Sequence, residues 1–206
     1  MQIIIENLGK KFRNEWIFRR LNHTFESGNA YAITGANGSG KSTLLQVISQ
    51  FIPANEGEIR FLNNKSIIGI DNIYKHIAFS SPLLELIEDF TLLELVQFHQ
   101  KLKPFDNELT CQQFIEKIDL QNQKNKQIKF FSSGMRQKVK LGLCLFSNAE
   151  VLFLDEPGTN LDQNTKNWFL ENIKLIINKK LVILASNDPF EYSFTTSIID
   201  IQQFKS

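Results

Sequence analysis

Gly35-Ala36-Asn37-Gly38-Ser39-Gly40-Lys41-Ser42 fits the pattern G-x-x-x-x-G-K-[ST] and lies between two regular segments. The apolar run at residues 30–34 reads as a strand, and residues 42–50 read as a helix, which is the setting that gives the motif its meaning. The glycines let the backbone turn tightly, so that several N–H groups converge on the β- and γ-phosphates of a nucleotide. The helix that follows adds the partial positive charge of its N-terminus. Lys41 supplies a mobile cation for the same phosphates, and the Ser42 hydroxyl is a hard oxygen suited to Mg2+. A chance glycine-rich turn would carry neither the strand before it nor the helix after it.

Working outward, the 206 residues fit one domain with a substantial core. Apolar residues make up 42% and charged residues 22%, an ordinary globular composition. A formal net charge of +1 gives no global field to recruit nucleic acid, and no nucleic-acid partner is expected. No apolar run approaches the roughly 20 residues of a membrane-spanning helix. The opening Met1-Gln2-Ile3-Ile4-Ile5-Glu6 lacks the marks of a signal peptide. Cys111 and Cys144 have no metal-ligand spacing and read as reduced thiols of a cytosolic protein.

Strands are expected at residues 3–5, 30–34, 58–62, 77–79, 151–154, 181–185 and 198–201, with Ser27-Gly28 turning the chain between His23-Thr24-Phe25 and the strand at 30–34. Thr91-Leu92-Leu93-Glu94 has the spacing of a capping box and predicts a helix through about residue 99; Thr110-Cys111-Gln112-Gln113 repeats the pattern. Another helix is expected over 165–177. The fold class is therefore α/β with a helical insertion: residues 1–82 and 149–206 form a core lobe, and about 83–148 form a helical subdomain.

A phosphate loop alone leaves many nucleotide enzymes open. Val151-Leu152-Phe153-Leu154-Asp155-Glu156-Pro157 narrows the field. Its buried strand ends in two carboxylates: Asp155 suits the Mg2+ shell opposite Ser42, and Glu156 can polarise a water for in-line attack. A lone acid after a strand is commonly just a cap. Phe131-Ser132-Ser133-Gly134-Met135 precedes the two acids and reads as a serine N-cap opening a helix, a place that can also grip an anion.

The order of phosphate loop, Ser-Ser-Gly-Met segment, Leu-Asp-Glu-Pro strand and Thr159-Asn160-Leu161-Asp162 resembles the nucleotide-binding domain of ABC ATPases. The resemblance covers essentially the whole chain. It implies a P-loop fold with a mostly parallel core sheet, an antiparallel strand-rich lobe and the helical insertion. It implies ATP and Mg2+ as cofactors and two such domains facing head to tail, each ATP lying between one phosphate loop and the opposite signature. Ser132, Ser133 and Gly134 take the signature's place, and Thr43 joins residues 35–42 at the nucleotide. Residues 159–162 take the place of the loop that runs along the dimer interface. Phe12 falls where the family stacks an aromatic on adenine, with Trp16 as a competitor and plain packing open for both.

Two positions depart from the family pattern. Its glutamine after the strand at 77–79 is replaced by Ser80-Ser81-Pro82-Leu83-Leu84-Glu85, leaving Ser81 or Glu85 as substitutes at the metal. Asn187, in Ser186-Asn187-Asp188, aligns with the switch histidine; an amide can bond the γ-phosphate but cannot carry a positive charge or shuttle a proton. The catalytic set is then Lys41, Glu156 and Asn187, with slow basal turnover. His23, His76 and His99 lie away from the motifs and read as surface or packing residues. The lysines of residues 124–129 read as a solvated loop.

The resemblance implies the ATP-hydrolysing subunit of a transporter, peripheral to the cytoplasmic face of the membrane. Its partners would be integral-membrane permease subunits and a second ATPase subunit, either a copy of this chain or a close paralogue. A soluble assembly ATPase and a weakly hydrolysing ATP-gated module are the alternatives. Asn187→His should raise the steady-state ATPase rate; an unchanged rate removes the missing imidazole as the limit.

Overall fold

The computed structural model describes residues 1–205. Two sheets form it. The first is antiparallel, in the order β2-β1-β4-β5, from β1 (Gln2–Phe12), β2 (Glu15–Glu26), β4 (Glu56–Asn63) and β5 (Ser66–Ile67). The second is parallel, in the order β6-β7-β8-β3-β9. It comprises β3 (Ala30–Thr34), β6 (Ile77–Ser80), β7 (Val151–Asp155), β8 (Leu181–Ala185) and β9 (Ser197–Asp200). Six α-helices accompany them: α1 (Lys41–Ile48), α2 (Ile70–His76), α3 (Leu92–Leu102), α4 (Cys111–Lys117), α5 (Ser133–Leu145) and α6 (Gln163–Ile176).

The parallel sheet is a wall between two cores. Its central strands are buried at every position and apolar up to Asp155, as expected for strands covered on both faces. Alternate side chains go opposite ways. Val151, Phe153, Leu181, Ile183, Tyr31 and Ile33 join α1 and the antiparallel sheet. Leu152, Leu154, Val182, Leu184, Ala30 and Ala32 join the core of helices α3 to α6.

The helix starts follow their caps. Thr91 Oγ1 accepts from Glu94 N (3.3 Å) while the Glu94 carboxylate accepts from Thr91 N (2.8 Å). Thr110 and Gln113 do the same for α4. β1 runs much longer than the short strand predicted at 3–5, and β2 is an addition, because bulges interrupt their alternation without ending the pairing. Asn7 and Arg20 take left-handed backbone there (φ 50° and 58°). α2 and β5 are also additions to the predicted elements.

The histidines pack as expected: His76 meets the Glu150 carboxylate (3.1 Å), His99 stacks on Phe105, and His23 lies edge-on to Phe25 and Tyr31. Burial drives the His99 pKa down to about 4. Lys124 and Lys129 bond Gln112 and Asp89 at the surface, a solvated pattern. Both cysteines are free, and burial pushes the Cys144 thiol up to about 12. No helix among the described residues is long and apolar enough to cross a membrane.

Phe153 is fully buried at the centre of the wall and stacks on Phe79. Phe153→Ala should cost about 3–5 kcal/mol of unfolding free energy, read from urea denaturation.

Candidate nucleotide site

Because the large sheet is parallel, its strands all end on one side, where ligands of open α/β sheets gather. β3 runs into residues 35–40, β7 into Glu156, β8 into Ser186 and Asn187, and β6 into Ser81. The predicted site residues from four separate stretches therefore meet at one edge.

The phosphate loop closes on α1 through Gly40, which has φ 104°. A β-carbon there would also lie 2.2 Å from Ile17 Cγ2, so two constraints demand glycine. Lys41 folds back over the loop, its Nζ donating to the carbonyls of Gly35 (3.0 Å) and Ala36 (3.2 Å). Asn37, Gly38, Ser39, Gly40, Lys41, Ser42 and Thr43 line a cleft of about 370 Å3 together with Phe12, Ile17 and Glu156. Phe12 is 50% exposed at its rim. Trp16 is outside the cleft: Arg19 and Lys11 cover its ring at 4.4 and 5.2 Å, and Gly9 lies beneath it.

Asp155 is the hub. Its carboxylate, only 3% exposed, accepts from Ser42 Oγ (2.8 Å) and Ser81 Oγ (3.4 Å). Burial raises its pKa above the usual carboxylate range, against the two hydroxyls, which pull it down. Of the substitutes for the family glutamine, Ser81 therefore reaches Asp155. Glu85 lines a different cleft with Arg136 and Lys140, and Ser80 Oγ is buried without a partner.

This donor set fits Mg2+: one carboxylate and two hydroxyls, all hard oxygens, and no competing soft ligand. No group of three or more His, Cys, Asp or Glu able to hold a metal occurs among the described residues.

Glu156 takes left-handed backbone (φ 42°), which turns its side chain out of the strand into the cleft. Thr159 Oγ1 donates to its carboxylate at 3.4 Å. Asn187 reaches the loop directly, its Nδ2 donating to Asn37 Oδ1 at 2.8 Å.

Ser132, Ser133 and Gly134 do not join this cleft. Ser132 caps α5 by accepting from Met135 N (3.2 Å), and Ser133 lines a second cleft of about 400 Å3 with Asn160 and Arg136. Gly134 passes close to Asn160, whose carbonyl would be 3.1 Å from an added β-carbon. Sequence reasoning did not find Ile17, the Asn37–Asn187 contact or the support of Glu156 by Thr159. The motifs name Asn37, Asn187 and Thr159 but not their pairings, and Ile17 declares itself only through its contact with Gly40.

Comparison with known proteins agrees with this arrangement. The family model described as ABC transporter matches residues 18–159. The chain is 30% identical over 202 residues to a lipoprotein-releasing system ATP-binding protein of Leptospira interrogans, covering 91% of this chain and 83% of that one. It is 30% identical over 205 residues to the ATP-binding protein Uup of Buchnera aphidicola, covering 98% of itself but only 33% of that longer protein. A solved ABC transporter ATP-binding protein described as putative, from Pyrococcus furiosus, superposes with a TM-score of 0.83 at 25% identity, covering 100% of both chains.

A carboxylate whose native pKa is raised destabilises the fold above that pKa, and the penalty fades as pH falls through it. Asp155→Asn should therefore melt higher than the parent at neutral pH while losing Mg2+-dependent hydrolysis. The melting difference should shrink in acid.

Proposed function

The chain belongs to the ABC transporter family as an ATP-binding, ATP-hydrolysing domain, and we propose that it powers a transporter whose membrane-spanning subunits are separate chains. The supporting observation is a division of labour. The cleft with the phosphate loop and Glu156 shares no lining residue with the cleft at the start of α5. In this reading a second copy, or a close paralogue, turns head to tail and lays its Ser132, Ser133 and Gly134 over the phosphates held by the first. The 13-residue helix α5 would meet that anion with its N-terminal N–H groups. ATP thereby favours the closed pair, and hydrolysis releases it.

Within each site we assign the roles that this geometry supports. Loop amides and Lys41 hold the β- and γ-phosphates, the ammonium exchanging the carbonyls of Gly35 and Ala36 for phosphate oxygens. Mg2+, held by Ser42, Asp155 and Ser81, would neutralise developing phosphate charge. Glu156 orients the attacking water and accepts its proton. Asn187, steadied by Asn37, donates an amide hydrogen bond to the γ-phosphate. It brings no positive charge, so basal turnover is slow. Phe12 at the cleft rim stacks on the adenine.

Residues 83–148 act in this proposal as a helical unit that turns with nucleotide. An apolar cleft of about 350 Å3, lined by Phe51, Tyr74, Phe79, Leu84, Leu86 and Leu143, would receive a helix of the membrane subunit at the cytoplasmic face.

Affinity capture from detergent-solubilised membranes tests this assignment. Recovery of an integral-membrane partner that raises the ATPase rate is the expected result; a stoichiometric, purely soluble complex overturns it in favour of an assembly ATPase. In the same assay Glu156→Gln should lower turnover by about 100-fold or more while ATP still binds. Vigorous turnover in that variant would remove Glu156 from its role.

A further inference from the structure

The left-handed backbone of Glu156 is strained for a residue with a β-carbon and persists only where its surroundings hold it. Upstream, strand β7 and the bond from Glu156 N to Ala185 O (2.8 Å) fix it. Downstream, the chain turns through Pro157 and Gly158 and is caught by Glu191. The Glu191 carboxylate is buried, with the residue 6% exposed, and its Oε1 accepts from Gly158 N at 3.0 Å. A β-carbon at 158 would sit 2.3 Å from that oxygen, so glycine is what lets the carboxylate close on the turn.

Glu191 belongs to the turn that follows Asn187. Its own N–H donates to Asp188 O (2.9 Å), Asp188 N donates to Ser186 Oγ (3.0 Å), and Lys166 of α6 holds Asp188 Oδ2 (3.2 Å). One carboxylate thus ties the turn after Glu156 to the turn after Asn187. Mere packing does not account for it. Burial raises its pKa, and Oε2 is buried without a hydrogen-bond partner, a cost that an apolar side chain of similar size would avoid.

We propose that Glu191 is a positioning residue for hydrolysis, its carboxylate clasping the Gly158 amide so that Glu156 is held at the γ-phosphate. It does not line the phosphate-loop cleft and acts through Glu156, so the inference rests on the role assigned to Glu156 above.

The test is steady-state ATPase activity, ATP affinity from a fluorescent analogue and thermal melting. The full chain would carry Glu191→Ala or Glu191→Gln, each alone and combined with Glu156→Gln. Glu191→Ala should lower kcat by about 10- to 100-fold, with KM and ATP affinity within about twofold of the parent. Glu191→Gln, whose amide oxygen can still accept from Gly158 N, should recover most of the rate. In the Glu156→Gln background, Glu191→Ala should remove less than about a further twofold, because the group it acts through is already gone. Equal losses in both backgrounds would mean a general structural fault and overturn the proposal, as would a parental kcat in Glu191→Ala. Should that variant fail to fold, Gly158→Ala, whose β-carbon displaces the carboxylate, must show the same kcat loss at unchanged affinity, and a parental kcat there overturns it. Full turnover in Glu156→Gln alone defeats the parent reading. An inactive Glu156→Gln beside a fully active Glu191→Ala defeats only this inference.

Discussion

The buried carboxylate of Asp155 is the interaction on which the nucleotide site depends. Ser42 reaches it from the first turn of α1, which the phosphate loop joins to β3, across the intervening strand β8, and Ser81 reaches it from just past the end of β6. Three strand ends are therefore tied at one atom group. The arrangement is costly in the free chain, because a nearly fully buried charge has only two hydroxyls to replace its water. Charge and hydroxyls together make a seat for a hard cation, so the same burial that weakens the fold prepares the site.

What keeps the three ends in place is the two-faced sheet. Alternate residues of β7 and β8 are locked into separate cores, so a one-residue slip of either strand would exchange both packings at once. Register is then fixed, and with it the level at which Asp155, Ser81 and Asn187 leave their strands. Beyond the strand ends the chain is held by turns, and there the structure tolerates strain: Glu156 and Asn160 both take left-handed backbone. Strain of this kind lies where the account places chemistry, and hydrogen bonds from Thr159 and to Ala185 hold it.

Much of the architecture is legible in the sequence, where a strand end is marked by a change of residue type. Four apolar residues followed by Asp155-Glu156, or glycines followed by Lys41-Ser42, can hardly be read otherwise. The capping boxes at Thr91 and Thr110 were equally plain, because their partners are three residues away. Legibility fails where contacts are long-range or the periodicity breaks. The bulged strands β1 and β2 hide their length for the second reason. Whether Ser81 or Glu85 approaches Asp155 depends on how the chain leaves β6, and Phe12 and Trp16 are told apart only by which one the cleft contains. Glu191 is 33 residues from Gly158 and sits in a turn with no motif, so nothing local announces it.

The account centres on Asp155 as the protein's anchor for a cation shared with ATP. Electron paramagnetic resonance of Mn2+, substituted for Mg2+ and titrated into the chain with saturating ATP, tests that directly. Asp155→Asn should weaken Mn2+ in the ternary complex by about 10- to 100-fold, with Ser42→Ala weakening it in the same direction. Mn2+ affinity unchanged by Asp155→Asn would contradict the account.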